Sequence, residues 1–515
     1  MPENTTSSNK RIAKNTLHLY ARMLLLLGLS LYTSRIVLAT LGVEDFGLYN
    51  VVGGIVTMFA FLNAAMGNSS HRFITFSLGK GDIKESRDVF GATCLIHWIL
   101  AGVILILAET IGLWLLHNKM VIPESRMVAA DWVYQFSIIA CVISIITVPY
   151  NATIIAHEKM GAFAYITILD AVLKLLIVYL IQISSFDKLI FYAALILCVK
   201  LLDIIIYLIY CLKNFEETRN FRVSIKIPQF KEMTSFAGWS LIGNLAYAGY
   251  TQGLNILLNL FFGPAINAAR GVAVQIEGAV KGFVVNFQTA VNPQIIKSYA
   301  QGDYSRLHTL IFASSKFSFF LLLCMVMPIC IESNTILNIW LKEVPQYTAL
   351  FTILILIISL SEPLRNPIDR ANQATGKIRN YQIVEGGLLL LIVPLSYLIL
   401  KIGGEPYAVF IVQLVVMYSV QVARLFLVCH KIKMSKREYV KRVLIRVTLV
   451  TIFSSIIPLV IHFSIPQSLV SSIIVIILSV VCVLSCSFFI GLTKNERFLV
   501  ISKIAAFKSK VTHRS

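Results

Sequence analysis

Long apolar segments alternate with short polar loops along nearly the whole chain, and this pattern leaves few folds open. A helix that crosses a membrane needs about 20 mostly apolar residues. Only 14% of the residues are charged, against roughly 25% in soluble proteins. The sequence therefore predicts an all-α integral membrane protein with about fourteen transmembrane helices. The predicted spans are residues 12–40, 46–78, 88–116, 128–156, 162–182, 188–212, 234–262, 265–296, 308–336, 346–374, 380–400, 406–429, 438–463 and 468–491.

The net charge of +19 is distributed unevenly between the loops. If the N-terminus is cytoplasmic and the spans alternate, the cytoplasmic segments, counted with Lys14, Lys441 and Arg442 at span ends, hold 28 of the 45 Lys and Arg residues. The external loops, counted with Lys188 at a span end, hold five. Because Lys and Arg concentrate in the cytoplasmic loops of membrane proteins, this bias predicts that both termini are cytoplasmic. Most of the excess charge thus serves topology, and nucleic acid is not indicated as a partner.

The longest polar segment between two spans is 213–233, which we interpret as an amphipathic linker on the cytoplasmic face. It divides a first domain, residues 1–212, from a second domain, residues 234–432. The last two spans and a basic cytoplasmic tail follow in 433–515.

A faint internal repeat relates the two domains. The stretch 42–82 aligns without a gap with 263–303, and seven of the 41 aligned positions are identical. Further along the chain, a second gapless alignment places Asn151 on Asn366 and Asp170 on Glu385, and six spans separate the partners in both alignments. Parallel repeats of this kind occur in transporters. The sequence therefore predicts two pseudo-symmetric six-helix lobes.

The predicted eighth span carries a polar stripe. At about 100° per residue, Glu277, Lys281 and Gln288 return to within about 20° of Arg270, and Asn292 lies about 40° away. A central Arg or Lys costs about 2.5–3.5 kcal/mol in a membrane, so such residues face partners or water. The stripe favours the lining of an aqueous cavity, and a buried structural network is the alternative.

A second charged cluster lies in the predicted tenth span, where two prolines interrupt the apolar sequence. Broken helices in membranes are tolerated where they face protein or water, and they often mark transport sites. Pairs three and four residues apart share a helix face. The cluster consists of Glu362, Pro363, Arg365, Pro367, Asp369 and Arg370.

Most of the charged residues in the first six spans have two interpretations. Arg22, Arg35 and Arg72 lie in the first two spans; they face a cavity, or, for Arg35 and Arg72, extend from span ends to the interface. Asp170 and Lys174 form an i, i+4 pair, which is either self-neutralising or a proton or sodium site.

The chain lacks the usual signatures of catalysis. No Walker A sequence, HExxH motif or zinc-type Cys/His spacing is present. The nine cysteines lie in or at the ends of spans and read as small apolar residues. We therefore predict no catalytic residues, no metal and no cofactor, and a function other than that of an enzyme.

The opening sequence resembles a known family. "LG...FGLY" between the first two spans, followed by Arg72 after a run of small residues, resembles bacterial polysaccharide-repeat flippases, the O-antigen and capsule translocases of the multidrug/oligosaccharidyl-lipid/polysaccharide exporter superfamily. "ATGKIRNY" at 374–381 also resembles that family. The matching residues of the first motif are Leu41, Gly42, Phe46, Gly47, Leu48 and Tyr49.

This resemblance implies two lobes around a central cavity that opens alternately to each side of the bacterial inner membrane. The substrate would be an oligosaccharide linked to undecaprenyl diphosphate, destined for lipopolysaccharide or capsule. A proton or sodium gradient or the membrane potential would drive this transport. Glycan polymerase and chain-length proteins are implied as partners. Candidate substrate-binding residues are Arg22, Arg35, Arg72, Arg270, Lys281, Gln288, Asn292 and Arg365; candidate ion-coupling residues are Asp170, Glu277, Glu362 and Asp369.

Other functions remain open at this stage. A multidrug or cation exporter of the same superfamily would favour acidic cavities, whereas these stripes lean cationic. A flippase for the lipid-linked peptidoglycan precursor would share the span number and a cationic cavity. A membrane glycan polymerase or ligase would need a substantial external loop, and the external loops here are short.

Overall fold

The fold was analysed in a computed structural model of the chain. It describes residues 60–118, 122–219, 228–341, 344–494 and 496–498, with scattered positions between 12 and 52 and at 221 and 223. Across this described part the regular structure is helical. The helices are α1 (Ala60–Lys80), α2 (Ile83–Asn118), α3 (Glu124–Ala156), α4 (Met160–Gln182), α5 (Lys188–Asn214), α6 (Pro228–Phe262), α7 (Pro264–Ala300), α8 (Tyr304–Ile331), α9 (Ser333–Trp340), α10 (Thr348–Ser359), α11 (Glu362–Ala374), α12 (Arg379–Leu390), α13 (Ile392–Lys401), α14 (Ala408–Cys429), α15 (Lys436–Ser464) and α16 (Leu469–Gly491).

The helices follow the predicted spans closely. Within the described residues, ten segments are long and apolar enough to cross a membrane. Helices α6 and α7 have 35 and 37 residues, ample length for a span, and α7 carries the polar stripe described above. Helix α1 covers part of the predicted second span, and the predicted first span is described at helical positions with gaps between them. The chain is an all-α, multi-pass membrane protein.

Polar side chains fix several helix starts. Asp82 accepts hydrogen bonds from the backbone amides of Lys84 and Glu85 and so caps α2. Ser468 and Ser471 form a reciprocal capping box at the start of α16. Such caps satisfy amide groups that the first helical turn leaves without partners.

By contacts, the chain divides into two compact units. The first unit comprises Met1–Leu245, Thr289–Asp303 and Gln373–Ile383, and the second comprises Ala246–Gln288, Tyr304–Asn372 and Val384–Ser515. Helix α7 therefore belongs to the second unit up to Gln288 and to the first from Thr289. The predicted division at 213–233 rests on topology and stays a prediction.

Each unit has its own apolar core. Phe90 and Tyr150 lie in the core of the first unit, and Leu254 and Phe351 in that of the second. Helix α8 is the most enclosed of the ten apolar helices, with 72% of its apolar stretch buried, whereas that share is 22% in α15 and α16. The exposed apolar faces of these outer helices suit contact with lipid.

Candidate functional site

Arg270, Glu277 and Lys281 of the polar stripe on α7 line a cavity inside the second unit. The cavity has a volume of about 300 Å³, the lower end of the range for small-molecule sites. Helices α6, α7, α10, α11 and α14 contribute to it. The lining residues are Tyr247, Tyr250, Thr251, Gln252, Asn255, Arg270, Val274, Glu277, Lys281, Ile355, Ile358, Ser359, Ser361, Glu362, Phe410, Gln413 and Met417.

Carboxylates and cations alternate from this cavity into the core of the unit. Lys281 Nζ lies 2.8 Å from Glu277 Oε1 and 3.7 Å from Glu362 Oε1. Arg365 lies 3.5 Å from Glu362 Oε1 and 3.1 Å from Glu385 Oε1. Arg424 is also part of this chain of ion pairs, 2.5 Å from Glu385 Oε1. Three carboxylates therefore offset three cations, which lowers the cost of placing these charges in the membrane.

Arg270 differs from those three cations. Its guanidinium donates to Asn255 Oδ1 and, at 3.2 Å, to the backbone carbonyl of Thr251. Among the described residues no carboxylate lies within ion-pair distance of Arg270, and its buried Nε–H has no hydrogen-bond partner. The cavity therefore carries a positive charge that neutral groups hold in place, which is the arrangement expected of an anion site.

A break in the helix positions the second charged cluster. Helix α10 ends at Ser359 and α11 begins at Glu362, so the interruption precedes Pro363, as the pre-proline conformational restriction favours. Pro367 was expected to interrupt the span as well, but it lies inside α11. Glu362 thus enters the cavity in the first turn of α11, and Arg365 follows one turn later. Asp369 lies half-buried a further turn along.

The first unit contains a smaller cavity of about 180 Å³. Lys200 Nζ lies 2.9 Å from Asp170 and 2.8 Å from Asp203, and Lys174 Nζ lies 2.8 Å from Asp170. Arg22 donates from Nε to Thr167 Oγ1 at 2.6 Å, beside the same cavity. Two aspartates and two lysines balance there, and Arg22 adds a cation that the neutral hydroxyl of Thr167 holds.

The two networks support the internal repeat. Asp170 and Glu385, which the second repeat alignment pairs, each accept from two cations. The partners differ: two lysines on Asp170, and Arg365 with Arg424 on Glu385. Both carboxylates hold the same position in their networks although the surrounding sequences have diverged.

The remaining predicted residues lie elsewhere. Gln288 and Asn292 continue along α7 beyond the cavity and are buried, with 2% and 8% of their surfaces exposed. Arg72 is buried in the first unit, where backbone carbonyls accept from it. Arg35 lies outside the described residues.

Sequence reasoning missed Glu385 and Arg424 as members of the charged network. Arg424 is 2% exposed and bound to Glu385. The alignment of Glu385 with Asp170 was the one signal that could have pointed to the pair. Asn255, which holds Arg270, carried no signal because isolated amides are common in such helices.

No metal-binding cluster of three or more His, Cys, Asp or Glu residues occurs in the described part of the chain. What the site offers instead is a fixed cation, amide and hydroxyl groups and tyrosine rings. These groups can bind a polar, anionic ligand without covalent chemistry.

Comparisons with known proteins agree on the fold. No family model matches the chain, and no curated protein matches its sequence. Solved structures do match in fold. An outward-facing multidrug resistance MATE family transporter of the MOP superfamily shares 15% identity at a TM-score of 0.68, covering 83% of this chain and 96% of its own.

Two further structures give the same result. A MOP superfamily transporter from Pyrococcus furiosus, whose reversed binding-pocket polarity suggests a different function, matches with 15% identity and a TM-score of 0.67 over 83% of this chain and 96% of its own. A Vibrio cholerae MATE transporter variant matches with 16% identity and a TM-score of 0.69 over 83% and 97%. The chain therefore has the fold of MATE transporters, as the sequence resemblance implied.

Proposed function

We propose that this protein is a flippase of the MOP superfamily that moves oligosaccharide units linked to undecaprenyl diphosphate from the cytoplasmic to the outer leaflet of the bacterial inner membrane. The observation that carries the proposal is Arg270, a cavity cation with no carboxylate partner among the described residues. A diphosphate is a strong acceptor for a guanidinium in a low-dielectric site. The sequence resemblance to polysaccharide-repeat flippases supports the same substrate class.

The rest of the cavity suits a sugar. Gln252, Asn255 and Gln413 offer amide groups, and Tyr247 and Tyr250 offer ring faces beside them. Amides supply both donors and acceptors for sugar hydroxyls. The lipid tail needs no place in this cavity, because it remains in the bilayer while the headgroup crosses.

Carboxylates next to the cations supply candidates for ion coupling. Glu277 and Glu362 share Lys281 in the second unit, and Asp170 shares Lys200 with Asp203 in the first. A proton or a sodium ion that competes with the lysine for a carboxylate would change the local charge balance. In the sequence we find no Walker A motif that would indicate ATP as an alternative drive.

A multidrug exporter is the second candidate, because the fold is equally that of MATE transporters. We choose between the flippase and the multidrug exporter by the charge of the larger cavity. In the Pyrococcus furiosus transporter, reversed pocket polarity was taken to suggest a different function. By the same reasoning, a cavity arginine that has no carboxylate partner in the described part of the chain favours an anionic substrate over a cationic drug.

Deletion of the gene, followed by analysis of lipid-linked intermediates, tests the proposal. A flippase predicts complete oligosaccharide units retained in the inner leaflet, with restoration by the wild-type gene. Unpolymerised units on the outer side would point to a polymerase, and retained peptidoglycan precursor would point to the other flippase. Normal glycan with increased sensitivity to cationic drugs would replace the proposal with an exporter.

A further inference from the structure

Three distant parts of the sequence meet in the first unit: the hairpin between α3 and α4, the last turns of α7, and the end of α11. Helices α1 and α7 approach closely there. A Cβ atom at Gly79 would lie 2.9 Å from Ala300 Cβ and 3.1 Å from Lys297 Cα. The small residue at Gly79 therefore brings the end of α7 against α1.

A buried glutamate holds the end of α7. Glu158 lies in the α3–α4 hairpin with φ 59°, and its side chain is fully buried. Its carboxylate accepts from Gln294 Nε2 at 2.6 Å and from Lys297 Nζ at 2.9 Å. Asn15 donates to its backbone carbonyl at 2.9 Å. We call the contact of Glu158 with Gln294 and Lys297 the acidic clasp.

A buried arginine holds the end of α11. Arg72 on α1 donates to the carbonyls of Gln373 at 3.0 Å and Ala374 at 3.1 Å. These carbonyls belong to the last turn of α11, where a cation is favoured by the helix dipole. The rings of Phe73 and Phe76 lie 4.1 Å and 4.8 Å from the guanidinium carbon. We call this contact the basic clasp.

The two clasps are related by the internal repeat. The alignment that places Asp170 on Glu385 also places Glu158 on Gln373. Each position receives donors from the corresponding helix of the other half of the sequence: α7 reaches Glu158, and α1 reaches Gln373. Both halves of the repeat therefore contain an equivalent contact. In one half the acceptor is the side-chain carboxylate of Glu158, and in the other it is a backbone carbonyl at Gln373.

We propose that the acidic and basic clasps form a paired latch, which holds Thr289–Asp303 and Gln373–Ile383 on the first unit in this state and releases them during transport. The proposal rests on the proposed transport function. Contacts between polar groups are suited to a reversible opening. Water replaces the lost partners on opening, so the free energy of a buried ion pair and of its hydrated parts is similar. An apolar contact of equal area would strongly favour the closed state, because opening would expose apolar surface to water.

Labelling of a buried cysteine tests the acidic clasp without any substrate. Ser298 on α7 is 1% exposed. The nine native cysteines are replaced by serine or alanine, and Ser298→Cys is introduced. The rate of reaction with a membrane-impermeant maleimide is then measured in inside-out vesicles. We expect Glu158→Ala and Lys297→Ala each to raise this rate by at least about tenfold, because removal of one partner strongly destabilises a buried pair.

The exchanged pair Glu158→Lys with Lys297→Glu serves as the matched control, and we expect it to restore slow labelling. A correctly inserted Glu158→Ala protein that labels at the parental rate would overturn the latch, as would fast labelling in Glu158→Ala that the exchange leaves unchanged. Lys297→Ala provides the same comparison if Glu158→Ala does not insert. Since labelling needs no glycan, failure here is distinct from failure of the flippase proposal, which the deletion experiment reports.

Discussion

Arg270 is held in the cavity by an amide and a carbonyl, whereas Lys281 and Arg365 are held by carboxylates. This difference decides which cation an anionic ligand can use. A ligand at Lys281 must compete with Glu277 and Glu362 for the same ammonium group. A ligand at Arg270 displaces only neutral acceptors.

We therefore expect Arg270→Met to lower surface glycan by about tenfold to a hundredfold, since hydrogen bonds to charged groups contribute about 1.5–3 kcal/mol. Arg270→Lys keeps the charge but loses the planar fork, and it should retain part of the activity. Glycan is quantified at equal amounts of membrane-inserted protein. Wild-type glycan in Arg270→Met would contradict the assignment of Arg270 to substrate binding.

The pairing of Glu277 with Lys281 makes a separate prediction about stability. Lys281→Met leaves Glu277 and Glu362 without their shared cation, and we expect a loss of about 3 kcal/mol, the lower range for breaking a buried pair. Glu277→Gln combined with Lys281→Met should recover at least half of that loss. Thermal unfolding of the purified variants measures both. If Glu277→Gln alone preserves stability but abolishes transport, Glu277 couples ions rather than only holding Lys281.

At the scale of helices, two glycines with nearly the same backbone conformation provide a matched test of the α11 end. Gly376 has φ +75° and Gly302 has φ +72°. A Cβ atom at Gly376 would lie 2.7 Å from Arg72 Nη2, whereas nothing lies within 4 Å of one at Gly302.

Gly302→Ala should cost only the left-handed backbone penalty of about 1 kcal/mol. Gly376→Ala should cost more, because it also displaces the guanidinium that caps α11. The difference is measured as the shift in melting temperature of each purified variant relative to the parent. Equal shifts would show that Arg72 moves aside without loss.

The start of α5 predicts a pH dependence. Asp187 caps α5 and lies 2.6 Å from Arg126. Partial burial opposes ionisation of Asp187, but hydrogen bonds from Arg126 and from the amides of Leu189 and Ile190 outweigh it and hold the pKa of this carboxyl below its usual value. A carboxyl with a lowered folded-state pKa stabilises the fold above its unfolded pKa, about 3.9, and loses that contribution as the pH falls through the folded value.

Asp187→Asn keeps a capping oxygen and removes the charge. We expect its melting temperature to lie below that of the parent at pH 7, by an amount that corresponds to at most about 1 kcal/mol for so exposed a pair. The gap should close as the pH is lowered below 4. A gap that stays constant down to pH 3 would assign the effect to packing rather than to the charge of Asp187.

For the whole molecule, hydropathy predicts where the helices lie, and periodicity predicts which residues share a helix face. The apolar segments became the helices, and the 3.6-residue repeat correctly placed Arg270, Glu277 and Lys281 on one cavity wall. It favoured a cavity over a buried network, and in the structure the same side chains both line a cavity and form ion pairs. The pairing of Glu385 with Arg424 depends on tertiary packing between α12 and α14, which no local pattern encodes.

The last two helices look like an addition to a twelve-helix protein, but buried charges join them to α8 and the turn that follows it. Lys316 is 1% exposed and lies 2.7 Å from Glu496, which follows α16. Directly after α8, Glu332 is 3% exposed and accepts from His462 and Ser472, both at 2.7 Å. Deletion of α15 and α16 would therefore leave two buried charges without these partners.

We expect a chain that ends at Met434 to lose the second unit's stability, because each orphaned charge costs roughly 3 kcal/mol or more. The matched control is the same truncation with Lys316→Met and Glu332→Gln, which removes both orphaned charges and should recover part of the folded protein. Size-exclusion chromatography of detergent-solubilised protein measures the monodisperse fraction. If the simple truncation is as monodisperse as the full chain, α15 and α16 are accessory helices, and the buried charges find water or other partners in their absence.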